Sequence, residues 1–386
     1  MDTKDFLLDS SIIFLNHGSF GACPLPVFQA YQSWQRRLEK QPVLFLGREY
    51  NRLLFEARHK LGAYVGASPE NVAFIPNATY GVNLVAHSLA LNPGDEVLAT
   101  NHEYGACDFT WQYLCERKGA KYIRQQISLP LETVEEFHER LWEGVTPRTK
   151  LVFLSHITSP TAQLFPVEEV CQRARREGLL TAIDGAHAPG QLSLDLDALG
   201  ADFYVGNCHK WMMSPKGAGF LYCRPELQRM IEPLVISWGT YPDEHITTGS
   251  RFIDLIQWTG THDPAAALTV PTAIDFLHQD HWEQKALACS RLLRDCLERI
   301  EQISGIASLY AGGEADSAVT LPPQMGAAAL PERYPPRQLK TRLYDEFHIE
   351  VPIIEWNSLQ LIRISVQGYN TPSDIEALIS ALETLF

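Results

Sequence analysis

From about Asn71 to Cys223 the chain alternates short apolar runs with longer stretches whose apolar residues recur at helical spacing. Residues 72–75, 96–99, 121–124, 151–155, 179–184, 203–206 and 218–223 have the length and composition of strands. Between them, residues 80–91, 106–117, 133–143 and 167–177 read as helices, and Gly178 suits the position just past the last one. Strand–helix alternation of this kind predicts an α/β fold with a mostly parallel, seven-stranded sheet covered by helices.

Past Gly260-Thr261-His262-Asp263-Pro264 the pattern changes. Residues 265–277 and 282–302 read as helices, the second long and amphipathic. A short segment at 310–313 and a Pro/Gly-rich stretch at 321–336 follow. Then come a helix at 337–347, strands at 350–354 and 361–366, and a final helix at 373–385. We therefore expect a large α/β domain over residues 1–262 and a smaller α+β domain over 263–386. The segment through about Pro26 carries too little pattern to place.

Composition narrows the function classes. The chain has 386 residues, 45% hydrophobic and 20% charged, with a formal net charge of −14. Such an acidic balance argues against general binding of nucleic acid or anionic membrane. No stretch of about 18 apolar residues predicts a membrane span. The start, Met1-Asp2-Thr3-Lys4-Asp5, lacks the basic and apolar regions of a signal peptide. The eight cysteines are scattered, without a CxxC pair or zinc spacing, and are expected as free thiols; no metal is implied. A cytoplasmic, soluble enzyme is the expectation.

Two motifs carry the chemistry. Asp184-Gly185-Ala186-His187 ends one expected strand, and Asn207-Cys208-His209-Lys210-Trp211 follows the next. Ligands collect beyond the carboxyl ends of strands in open α/β sheets. Lys210 lies between an apolar strand and Trp211-Met212-Met213, so desolvation lowers its pKa and frees its amine for attack on an aldehyde. A carboxylate at Asp184 could keep a pyridine nitrogen protonated. An amine and a carboxylate so disposed are what pyridoxal 5′-phosphate (PLP) requires. The plainer alternatives are a loop-capping aspartate and a snorkelling lysine. Lys216, the competing lysine, sits in a turn and is expected in solvent.

Further candidates surround these two. Pro76-Asn77-Ala78-Thr79-Tyr80-Gly81 joins a strand to a helix, where free amides and the Thr79 hydroxyl could hold phosphate, or simply cap the helix. His209 and Asn207 could add donors. His102 or Tyr104 could lie over the cofactor ring; Tyr104 is preferred because Gly105 and Ala106 leave room beside it. Arg363, between apolar neighbours in an expected strand, needs an anionic partner, either a substrate carboxylate or a glutamate such as Glu350 or Glu355.

These segments together resemble the class V aminotransferase family of fold-type I PLP enzymes, and within it the isopenicillin N epimerase-like proteins. The resemblance runs through Leu15-Asn16-His17-Gly18-Ser19-Phe20-Gly21, residues 77–83, 102–106, 184–190, 206–219, 260–263 and 363–371, so it covers essentially the whole chain. It implies that Lys210 carries the cofactor aldehyde, Asp184 pairs with the ring nitrogen and His187 reaches the phenolic oxygen. It implies phosphate contacts from Ala78, Thr79 and His209. It implies a homodimer with shared sites, in which Thr261 reaches the partner's phosphate. Arg363 would bind the substrate α-carboxylate, and Asn16 and His17 would line the substrate mouth. The cysteine that desulfurases carry shortly before the substrate arginine is missing, since residues 348–363 contain none. A persulfide-forming desulfurase is thereby disfavoured.

The expected substrate is an amino acid or an α-aminoacyl side chain. The leading expectation is epimerisation, which needs a second proton donor opposite Lys210, either Tyr104 or His17. A C–S lyase on cysteine derivatives, an aminotransferase and a non-catalytic scaffold are the alternatives. The loop at 238–246, expected to help choose the substrate, has no readable code.

Overall fold

The computed structural model describes residues 3–241, 247–279, 282–311 and 321–386. Positions 242–246 of the expected specificity loop and 312–313 of the expected segment at 310–313 lie outside the described residues. A short strand β1 (Ile13–Phe14) precedes the main sheet, which is built from β2 (Val72–Ile75), β3 (Glu96–Thr100), β4 (Lys121–Gln125), β5 (Thr149–Ser155), β6 (Leu180–Gly185), β7 (Phe203–Asn207) and β8 (Gly219–Cys223). Their spatial order is β2-β8-β7-β6-β5-β3-β4. β8 runs antiparallel to both of its neighbours, and every other pairing is parallel.

Both faces of the sheet are covered, which explains why its strands read as continuous apolar runs. Successive residues still point to opposite sides. Phe74, Leu98, Val152, Leu154 and Ile183 join a core with helices Tyr50–Val65, Val167–Arg176 and Ala265–Gln279. Ala73, Val97, Ala99, Phe153 and Ala182 join a second core with helices Ala78–Ser88 and Gly105–Lys118. Among the described residues no helix is long and apolar enough to cross a membrane.

The C-terminal part adds β9 (Met325–Leu330), β10 (Ile349–Glu350), β11 (Ile353–Trp356) and β12 (Leu359–Ser365). β12 lies between β11 and β9, antiparallel to each. Helices Trp282–Ser304, Pro336–Phe347 and Pro372–Leu385 supply its core, and Cys289 and Cys296 are buried in that core at helical spacing with Leu293, Leu297 and Ile300. Two expectations need correction. The stretch at 321–336 contains a full strand, β9, hidden because Met-Gly-Ala-Ala-Ala-Leu lacks β-branched residues. The strand expected at 350–354 is two strands, because Pro352 has no N–H for a continuous ladder.

The N-terminal segment ties the two parts together. β1 pairs in parallel with β10, and Asn16 bridges to Ser365. The chain then passes beneath Lys210. Gly21 has φ +70°, and a Cβ there would lie 1.9 Å from the His209 carbonyl oxygen. From the other side, Gly190 (φ +95°) would set a Cβ 2.3 Å from the Trp211 carbonyl carbon. The Lys210 segment is thus clamped between two glycine backbones.

Gly178 is also at positive φ, +73°, but a Cβ there would meet nothing within 4 Å. Gly178→Ala should therefore cost only the backbone strain, about 1 kcal/mol. Gly21→Ala should cost clearly more, on the order of 3 kcal/mol, because the clash is with backbone. Chemical denaturation of the two variants would test the ranking, and equal losses would contradict the clamp.

Candidate active site

The site lies beyond the carboxyl ends of the parallel strands. β6 delivers Asp184, the turn after β7 delivers Lys210, and the loop after β3 delivers Tyr104. Asp184 is buried, accepting from the Ala186 N–H (2.9 Å) and facing the Cys107 thiol at 3.5 Å. Burial raises its pKa, against the hydrogen bond from Ala186 and the charge of Lys210. Two partners leave a buried carboxylate undersupplied with positive charge.

Lys210 is half-buried, with its Nζ 3.1 Å from His187 Nε2. Desolvation, then the charge of Arg363, lowers its pKa to about 7, while Asp184 and Cys107 act in the opposite direction. His187 also receives the Trp211 indole N–H on Nδ1 at 3.3 Å, and burial drives its pKa well below the ordinary range. Lys216 is exposed and donates to the Gly21 carbonyl (2.9 Å).

Arg363 projects from β12 and is 4% exposed. One terminal nitrogen, Nη1, donates to the Ser159 carbonyl (2.6 Å) and hydroxyl (3.1 Å); the other, Nη2, donates to the Ser19 hydroxyl (3.1 Å). Its Nε is buried without a partner. Desolvation lowers its pKa to about 10, against the influence of Tyr104. Neither glutamate weighed as its partner pairs with it. Glu350 accepts from Asn16 Nδ2 (2.8 Å) and lies 3.7 Å from Lys340, and the Glu355 side chain projects outward. The guanidinium keeps an unmet demand for an anion.

A family model described as aminotransferase class-V matches residues 22–378. The chain belongs to that family. Isopenicillin N epimerase of Amycolatopsis lactamdurans is 34% identical, over 98% of this chain and 96% of its own length. The enzyme of that name from Streptomyces clavuligerus is 32% identical over the same shares. A probable chloroplastic L-cysteine desulfhydrase of Arabidopsis thaliana is 26% identical, over 98% of this chain and 83% of its own. Among solved structures, a mutant of C-DES with glycine covalently linked to its PLP cofactor superposes with a TM-score of 0.83 at 21% identity, covering 99% of both chains. The cystine C–S lyase C-DES with cysteine persulfide gives 0.81 at 22% identity, over 97% of this chain and 98% of that one. This class V chain is a PLP-dependent enzyme of fold type I.

The donor set fits that cofactor. A buried carboxylate short of positive charge suits a protonated ring nitrogen, and a buried amine of low pKa suits an aldehyde. Of the amides of Ala78, Thr79 and Tyr80, that of Thr79 has no partner among the described residues. Ala78 N–H donates to Asn207 Oδ1 and Tyr80 N–H to Asn77 Oδ1, both at 2.9 Å. The resemblance implies a phosphate contact from Ala78, whose N–H is here engaged by Asn207. His209 Nδ1 lies 3.2 Å from the Ala218 carbonyl, which leaves Nε2 open, and burial lowers its pKa to about 4.

The expected substrate mouth also changes. His17 is wholly buried, its Nδ1 3.0 Å from the Tyr369 hydroxyl and its Nε2 3.0 Å from the Lys210 carbonyl. Both nitrogens are engaged, so His17 braces the Lys210 backbone and cannot serve as an opposite-face acid. Asn16 is buried too, holding Glu350 and the Ser19 hydroxyl. Tyr104 stands 47% exposed at the start of helix Gly105–Lys118. His102 does not overlie the site; it is buried between Thr161 and Ile127. Thr261 is exposed beside a cavity of about 330 Å³ whose other lining residues include Val43, Leu46 and Trp258 and none of the expected site residues.

Sequence reasoning missed Ser19, Ser159, Cys107 and the role of Trp211. Ser159 had a usable signal, since it follows the carboxyl end of β5, where ligands gather. Ser19 had none beyond its motif, because its partner lies 344 positions away.

The lowered pKa of Lys210 has a measurable consequence. Burial disfavours the ammonium, so free amine should accumulate as pH rises through about 7, not 10.5. In cofactor-free protein, the acylation rate of Lys210, read by peptide mass spectrometry, should rise between about pH 6 and about pH 8 and then level off. A rate still climbing at about pH 10 would indicate a solvated lysine.

Proposed function

We propose that this enzyme moves a proton at the α-carbon of an amino acid or an α-aminoacyl side chain, with inversion of configuration. PLP supplies an electron sink that acidifies this carbon. Lys210 would hold the cofactor and, once freed, its Nζ would take the α-proton and keep it while the opposite face is reprotonated. Asp184 would sit against the ring nitrogen, with His187 near the phenolic oxygen. Thr79 would bind phosphate through its amide and hydroxyl, aided by His209 when protonated. Tyr104 would cover the ring, and its hydroxyl would deliver a proton from the face away from Lys210.

The observation that carries this reading is Arg363. A buried guanidinium held, among the described residues, only by neutral serine oxygens, with its Nε unmatched, is prepared for a planar carboxylate. Cys107 is fully buried against Asp184 and Cys208 is fully buried two residues before Lys210, so neither offers a thiol to a substrate on Arg363. That favours proton transfer over persulfide formation. The 34% and 32% identical relatives are named as epimerases, which agrees.

The partnership proposed is a homodimer. Phe109 and Tyr113 stand exposed one turn apart on helix Gly105–Lys118, and Phe20 is 72% exposed beside Ser19. A second copy of the chain would cover them, and Thr261 would reach its phosphate.

Borohydride treatment of the native protein followed by mass spectrometry should find the cofactor on Lys210. L-amino acids incubated with enzyme in deuterated water should yield deuterated D-isomers. Pyruvate and sulfide from cysteine or cystine would instead establish a C–S lyase, and a keto acid formed only with an acceptor would establish a transaminase. Arg363→Lys should raise KM about 10- to 100-fold, the loss of one or two charge-assisted bonds. An unchanged KM would remove Arg363 from substrate binding. Light scattering should report twice the mass of one chain.

A further inference from the structure

The hydrogen-bond chain behind Lys210 has a fixed direction. Trp211 is wholly buried, its ring 5.0 Å from that of His17. Its Nε1 lies 3.3 Å from His187 Nδ1. An indole N–H can only donate, so Nδ1 must be an acceptor and carries no proton. A histidine ring in this state bears its one proton on Nε2, which faces Lys210 Nζ at 3.1 Å. An Nε2–H can only donate as well. Lys210 Nζ must then accept, which requires a lone pair and hence a free amine. The opposite tautomer would set two N–H groups against each other at Nδ1, and its bare Nε2 would accept from Lys210 as amine or as ammonium, so it would no longer exclude the charged form.

We propose that Trp211 is a positioning residue for Lys210: its indole N–H holds His187 in the Nε2–H tautomer, and that tautomer keeps the Lys210 amine neutral and turns an N–H donor toward the cofactor side of the site. The inference deepens the assignment of Lys210 as the working amine and rests on it. The charged groups that face this pair agree. Arg363 and His209 disfavour positive charge on His187; Arg363 also disfavours it on Lys210, while Asp184 and Cys107 favour it there. Burial is the largest influence on both groups and disfavours the charged form of each, in the same direction as the hydrogen-bond chain. The sequence hides this role, since a tryptophan beside an apolar run looks like ordinary core.

The test uses cofactor-free protein labelled with 15N-histidine, with His187→Gln to assign the signal. Wild type should show Nδ1 bare and Nε2 protonated through neutral pH. Trp211→Phe keeps the packing but removes the donor. It should let the Nδ1–H form appear and slow acylation of Lys210 at pH 7 about fivefold, the effect of one unit of upward shift from a pKa of about 7. A wild-type signal with Nδ1 protonated, or as imidazolium, would overturn the proposal without any variant. So would a folded Trp211→Phe protein with an unchanged tautomer and labelling rate. Should Trp211→Phe not fold, the wild-type spectrum decides alone. Borohydride fixation of the native holoenzyme separately tests whether Lys210 is the cofactor lysine, so the two failures are distinguishable.

Discussion

The whole arrangement depends on keeping one amine away from water. A lysine beside Arg363 and behind a sheet is costly to charge, and its pKa falls to about 7 for that reason. Such an amine stays in place only if its backbone cannot retreat toward solvent. Gly21 on one side and Gly190 on the other approach the 209–212 backbone more closely than any side chain would permit. His17 adds a hydrogen bond to the Lys210 carbonyl. The Asn16–Gly21 motif is therefore part of the lysine's housing.

The same constraint organises the rest of the molecule. Arg363 comes from β12, Ser159 from the loop after β5, and Ser19 from the N-terminal segment. None of these elements is near another in sequence, so the guanidinium is desolvated only when the whole chain has folded. A buried charge with neutral partners is a liability to stability. It is retained where a ligand completes it, which is how the C-terminal sheet and the large sheet come to share one site. The positions carrying unmet demand, Asp184 and Arg363, are the positions where ligand charge is expected.

How much of this was legible in the sequence follows from burial. The main-sheet strands were readable because both faces are covered, leaving long apolar runs such as Leu180–Gly185 bounded by turn residues. Strand β9 was not, because small residues fill its positions between helix and sheet; a Cβ on Gly326 would lie 2.6 Å from Leu297. Helices Leu25–Lys40 and Tyr50–Val65 lie ahead of the stretch in which strand–helix alternation is readable. The burial of Asp184 and Arg363 and the lowered pKa of Lys210 were legible because a charge inside an apolar context is informative. The partners of Ala78 and His17 were not legible, because sequence gives a residue's chemistry but not whether Asn207 or Tyr369 occupies its donor or acceptor.

Directional hydrogen bonding extends beyond the lysine to the carboxylate-binding end of the site. A backbone carbonyl only accepts, so His102 must donate from Nε2 to Ile127 at 2.8 Å. Burial lowers its pKa to about 4, which leaves Nδ1 bare, so it accepts from the Thr161 hydroxyl, also at 2.8 Å. Thr161 then accepts from the Thr158 hydroxyl, which itself receives the Gln163 N–H. Every proton in this chain has one location. The loop it stiffens contains Ser159, whose carbonyl and hydroxyl hold Arg363. One neutral histidine thus orders the loop beside the guanidinium, while another faces the amine. The two chemical ends of the site are set by the same device: a buried imidazole whose tautomer is dictated by a partner that can only donate or only accept.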